Sequence, residues 1–133
     1  MHTPGLPFQN SAGTVSYVPA GYVRLAWTPR ASSDADLRAI YEQGLAAMQR
    51  YGATRIMSVH TERQPISQAV QQWVLTSWIP RVEALAPPRA FAVVLAASPI
   101  SRLASRSMTS QLGQTISHRE FDTEAGAEHW LLH

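Results

Sequence analysis

The chain has 133 residues, 45% of them hydrophobic and 15% charged, which is enough for one domain with its own core and no help from disulfides or metals. It holds no cysteine, which excludes disulfide frameworks, thiolate zinc sites, iron–sulfur clusters and cysteine nucleophiles. Its 11 basic residues are all arginine and are scattered along the chain, so the formal net charge of +2 is no nucleic-acid footprint.

The start, Met1-His2-Thr3-Pro4-Gly5-Leu6-Pro7, offers neither the basic residues nor the apolar run of a secretory signal. The longest apolar stretch, Ala90 to Ala97, falls far short of the ~20 residues that span a bilayer. A cytoplasmic protein is the expectation, with no membrane span and no nucleic-acid partner.

Residues 1–12 combine Pro4, Gly5, Pro7, Asn10 and Ser11 without an apolar period, and read as a loose lead-in. A single α/β domain is expected over 13–133. Thr14 to Val18 alternates apolar and polar, Pro19-Ala20-Gly21 supplies turn chemistry, and Tyr22 to Thr28 alternates again, which predicts a β-hairpin. In its second strand Val23, Leu25 and Trp27 share one face, and Tyr22, Arg24, Ala26 and Thr28 the other.

Ser32-Ser33-Asp34-Ala35-Asp36 predicts a helix start, with a serine for the orphan amides and two carboxylates against the dipole. Leu37, Ile40, Tyr41, Gly44, Leu45 and Met48 form its apolar stripe, and Gly52 its left-handed cap. Arg55 to Val59 predicts a strand, His60 to Ile66 a polar loop, and Ser67 the cap of a second helix carrying Val70, Trp73, Val74 and Trp78. Pro80 predicts a kink before a last turn through Val82 and Leu85.

Pro87-Pro88 precedes Ala90 to Ala96, a continuous apolar run expected as a central strand buried on both faces. Ser98-Pro99 opens a predicted helix with Ile100, Leu103, Ala104, Met108 and Leu112, ending at Gly113. Thr115 to Phe121 is polar enough for a sheet edge, and Asp122 or Thr123 caps a terminal helix with Ala127, Trp130 and Leu131. The order predicts a mainly parallel five-stranded sheet with an N-terminal hairpin and about four helices.

Leu25-Ala26-Trp27, Ile66-Ser67 followed by Trp73, Trp78 and Ile79-Pro80-Arg81, the apolar strand Ala90 to Ala96, and the ending Phe121-Asp122 through Ala127 to Trp130-Leu131 cover residues 14 to 132. Together they resemble the short stand-alone bacterial proteins of the STAS, or SpoIIAA-like, fold, the fold of the anti-sigma-factor antagonists. Where phosphorylated antagonists carry Asp-Ser before a glycine-rich helix start, this chain has His60-Thr61-Glu62-Arg63-Gln64-Pro65-Ile66-Ser67. The resemblance therefore implies a fold and a non-enzymatic binding or regulatory role with a protein partner, rather than a reaction.

The residues agree that no familiar chemistry is advertised: there is no Gly-x-Ser-x-Gly turn, no lysine for a phosphate loop and no Gly-x-Gly-x-x-Gly. No metal or cofactor is expected. The candidate ligand or partner residues are Ser67, which is a helix cap or a phosphate acceptor; Trp78, which fills the core or joins a tyrosine patch; Arg102 and Arg106, one helical turn apart; and His60, at the mouth of a strand–helix loop. His118, Glu120 and His129 read as surface residues. An alternative function is to carry a small apolar or lipidic ligand between helices and sheet. Sequential right-handed crossovers would put every crossover helix on one side of the sheet, leaving Tyr22 and Arg24 on an uncovered face, which is either the contact of a homodimer or is covered in a monomer by Pro7, Phe8 and Gln9 folding back.

Overall fold

A computed structural model describes residues 7–30, 32–62, 66–85, 89–95, 99, 102–103 and 116–133. Six strands form one mixed sheet whose spatial order follows the sequence: β1 (Phe8–Gln9), β2 (Gly13–Val18), β3 (Tyr22–Trp27), β4 (Arg55–Val59), β5 (Arg89–Val94) and β6 (Ile116–Phe121). β1, β2 and β3 are antiparallel neighbours, and β3 to β6 run parallel.

The predicted hairpin is β2–β3, closed with Val18 opposite Tyr22. Gly21 turns the chain at φ 127°, a conformation that side-chain-bearing residues rarely adopt, and its amide donates to the Val18 carbonyl at 2.8 Å. The sheet has six strands rather than five because part of the expected lead-in joins it: Phe8 pairs opposite Val15 and Gln9 opposite Thr14. The next residues are also tied down. Asn10 Nδ2 donates to the Asp36 carbonyl at 3.0 Å, Ser11 Oγ to the Asp36 carboxylate at 2.8 Å, and the Thr28 amide to the Ala12 carbonyl at 2.9 Å. The partners of Asn10, Ser11 and Ala12 are distant in sequence, so the local composition could not announce them.

Helix α1 (Asp34–Tyr51) starts and stops as its sequence directs. Ser33 Oγ accepts the Asp36 amide, Asp34 and Asp36 face the positive end of the dipole, and Gly52 ends the helix at φ 62°. Its buried stripe is Leu37, Ile40, Tyr41, Gly44, Leu45 and Met48. Gly44 lets the helix approach the sheet closely, since a Cβ there would stand 2.8 Å from Leu25 Cδ2.

Helix α2 consists of Gln68–Trp73, a π-helical turn Val74–Trp78, and Ile79–Glu83. The kink expected at Pro80 is absorbed by that π turn. In a regular helix the proline ring would collide with the carbonyl four residues back, and Pro80 has no amide to donate. Here the Ile79 amide bonds the Val74 carbonyl, five residues back, and the widened turn lets the helix run on past the proline.

The third described helix, α3 (Glu124–Leu132), is capped by Thr123, whose Oγ1 accepts the Gly126 amide at 3.1 Å. The helix predicted from Ser98 to Gly113 lies outside the described residues apart from Pro99, Arg102 and Leu103.

Two layers of apolar side chains result. On one sheet face Val15, Val23, Leu25, Ile56, Phe91 and Val93 pack against α1 and α2. On the other, Tyr22, Met57, Val59, Ala92 and Val94 pack against Ala127 and Leu131 of α3. β5 is buried on both faces, as its unbroken apolar run requires, and lies one strand in from β6. β6 is the edge, with Ser117, His118 and Arg119 exposed.

The expected uncovered face is therefore covered from within the chain, by α3. The crossover rule governs helices that link two parallel strands; α3 follows the last strand and is free to pack on the other side. No helix of the described residues is long and apolar enough to cross a membrane.

Candidate functional site

In parallel α/β sheets ligand sites gather beyond the carboxyl ends of the strands. Here that edge is formed by Trp27 at the end of β3, Val59 and His60 at the end of β4, Leu95 beyond β5 and Asp122 beyond β6. The starts of α1 and α2 stand beside it, because each helix begins after a strand has reached this edge.

The most buried polar element at the edge is a chain of three side chains. The Trp27 indole N–H donates to Ser58 Oγ at 2.9 Å, and the same oxygen lies 2.7 Å from His60 Nε2. Ser58 is 1% exposed and His60 5%. Ser58 Oγ accepts the indole proton and also bonds Nε2, so one hydroxyl holds both rings in place. The His60 backbone amide donates to the Val94 carbonyl at 2.8 Å, continuing the sheet pairing past β4.

A serine hydroxyl on an imidazole is the raw material of a nucleophile. In this instance the hydroxyl is buried and already accepts a proton from Trp27, so the arrangement fixes the ring instead of presenting the oxygen to a substrate. His60 is thus an interior residue, not the loop-mouth side chain its sequence position suggests.

Nearer the surface, Ser67 caps α2. Its Oγ accepts the Val70 amide at 3.1 Å and donates to the Asp34 carboxylate at 3.0 Å, joining the start of α2 to the start of α1. The Ser67 side chain is exposed. Arg102 forms an ion pair with Asp122, just before the α3 cap, and its buried Nε has no hydrogen-bond partner among the described residues. Arg106 lies outside the described residues.

Trp78 belongs to none of this. It is fully buried, and its indole N–H donates to the Tyr41 carbonyl at 2.7 Å. An aromatic patch of Trp78 with Tyr22 is excluded, because the two rings occupy opposite faces of the sheet. The spacing of Trp73 and Trp78 predicts rings pointing well apart, yet both lie edge-on to Tyr41, at 6.1 and 5.0 Å. The extra residue in the π turn brings them back towards one side. Trp73 takes the outer position, under the Arg81 guanidinium, which itself pairs with Glu42 and holds that carboxyl below its usual range.

Tyr22 and Arg24, expected at a dimer contact, bind α3 instead. The Tyr22 hydroxyl donates to Glu128 at 2.5 Å, and Arg24 grips Glu124 with two bonds of 2.8 and 3.0 Å. Burial first, then the hydrogen bond and charge of Glu128, push the Tyr22 phenol up to about 12. Tyr22 and Arg24 are thus engaged within the chain and do not form the uncovered face expected of a homodimer contact.

Sequence reasoning missed Trp27, Ser58, Asp34 and Asp122 as members of the edge. One signal was present: Ser58 is a polar residue inside an apolar strand, two before His60, and period-two alternation puts both on one face. Among the described residues no three His, Asp or Glu side chains are grouped to hold a metal ion. The chain matches no protein-family model and no curated protein sequence.

Proposed function

We propose that the chain is a non-enzymatic binding or regulatory module of STAS-like type that meets a protein partner at the carboxyl edge of its sheet. The observation that carries the reading is the Ser67–Asp34 hydrogen bond. An exposed hydroxyl ties two helix starts together at the edge where such sheets recognise ligands, so an event at Ser67 reaches both helices. The α/β architecture, with sequential parallel strands behind an antiparallel lead-in, is of the general class that the resemblance implies. The carrier reading has less support, since Trp27, Tyr41, Trp78 and Phe91 fill the space between helices and sheet ring against ring.

Photo-crosslinking in the cells that make the protein tests the proposal. A benzophenone amino acid at the exposed Gln68 is expected to trap one defined protein, and the same group at Ala20, on the far turn between β2 and β3, is not. Equal trapping from both positions, or none from 68, overturns it. A small molecule retained by the purified protein in native mass spectrometry would favour the carrier.

A further inference from the structure

At the opposite end of the molecule, where α1 ends and β2 reaches its turn, lies a pocket of about 120 Å³. Ala46 and Ala47 of α1 and Val15 of β2 form its apolar lining with Phe8. Tyr17 and Tyr51 stack on each other beside it, ring centroids 4.3 Å apart and planes within 10° of parallel. Arg50 lies at its side, the guanidinium carbon 5.5 Å from the centre of the Tyr51 ring.

Arg119 makes a similar ring contact with Phe121 on the edge strand, but Arg50 is the one of the two beside a pocket. Arg24, Arg81 and Arg102 are each neutralised by a carboxylate, whereas Arg50 has no carboxylate partner among the described residues. Its guanidinium lies beside a pocket lined by Phe8, Tyr17 and Tyr51. A planar guanidinium is suited to two parallel bonds with a carboxylate. The pocket volume suits one ring, given that a buried cavity of about 150 Å³ holds benzene. The alanines at 46 and 47 provide that room; larger residues would close it.

We propose that this pocket binds a small planar aromatic carboxylate, with its ring beside the stacked tyrosines and its carboxylate on Arg50. Gln43, two helical turns before Arg50 on the same side of α1, offers an amide to a further polar substituent of the ring. The site is independent of the edge at Ser67: α1 runs from one end of the sheet to the other, and the pocket lies at its last turns.

The test is an amide NMR titration of the full chain with sodium benzoate. Shifts are expected at Ala46, Ala47, Arg50 and Tyr51 and not at Ser67. Arg50→Gln should weaken binding at least about tenfold, the loss of one charge-assisted contact. Ala46→Phe, at an exposed position, should abolish binding by filling the pocket while leaving the spectrum otherwise intact. Benzyl alcohol, which lacks the charge, and inorganic phosphate, which lacks the ring, should both bind more weakly than benzoate. No shifts at about 20 mM benzoate, well above the millimolar range of weak ligands, would overturn the proposal. So would unchanged affinity in Arg50→Gln, or phosphate binding as well as benzoate.

Discussion

Trp27 and His60 meet on a single oxygen: the indole N–H of one and the imidazole Nε2 of the other both bond Ser58 Oγ, at 2.9 and 2.7 Å. Three residues from the ends of two neighbouring strands are thereby locked in an interior that otherwise holds apolar side chains. Replacing Ser58 with alanine removes the shared partner and leaves two buried polar groups short of a bond. The expected cost is about 1–3 kcal/mol, read as a lower urea midpoint with an unchanged slope. A loss smaller than the fit error would show that the bonds add nothing to stability.

Tyr22 predicts a pH dependence at the alkaline end. Its folded phenol titrates near 12, above the ordinary tyrosine value of 10. Between those values the folded state keeps a proton that the unfolded chain has lost, so stability is fully present below pH 10 and declines as pH rises towards 12. Tyr22→Phe should remove that part of the decline. Identical pH profiles for the two proteins, measured by denaturant midpoint from pH 9 to 12, would refute the linkage.

The Ser67 substitutions separate two properties of one hydroxyl. Ser67→Ala loses the cap and should cost about 1 kcal/mol. Aspartate is as good a cap as serine by sequence rules, and by them its substitution should cost little. The structure changes that expectation: Ser67 donates to the Asp34 carboxylate at 3.0 Å, and an aspartate would set two like charges face to face. Ser67→Asp is therefore expected to be less stable than Ser67→Asn, which can accept from the amide and donate to Asp34. The reverse order in thermal melts would remove the Asp34 contact from consideration.

Gly13 and Gly44 rank two kinds of close approach. A Cβ at Gly13 would lie 2.3 Å from the Ala26 carbonyl oxygen, which belongs to backbone held in the β2–β3 ladder. At Gly44 the obstacle is a terminal methyl of Leu25, which can turn away, and alanine gains helix propensity of about 1 kcal/mol in return. Gly13→Ala should be the more damaging, beyond the about 1–3 kcal/mol typical of overpacking. Equal midpoints would mean that the strand yields as easily as a side chain.

How far the chain could be read in advance depended on the range of the interaction. The stripe from Leu37 to Met48, the Ser33, Ser67 and Thr123 caps and the Gly52 terminus are written within a few residues each, and they stand where the sequence puts them. So do the doubly buried β5 and the polar edge β6, because alternation and apolar content directly state how many faces of a strand are covered.

What only the tertiary structure decided is which distant groups meet. The side of the sheet taken by α3 is fixed by Tyr22 and Arg24 receiving Glu128 and Glu124 about a hundred positions later, and no crossover constrains that helix. Phe8 becomes strand because Val15 lies opposite it, although its own neighbours carry no strand pattern. Trp78 turns inward because a π turn, formed to pass Pro80, resets the helical phase by a residue. Local periodicity determines which elements form. Steric and hydrogen-bond partners far along the chain determine which face each element finds, and those partners exist only once the sheet has assembled.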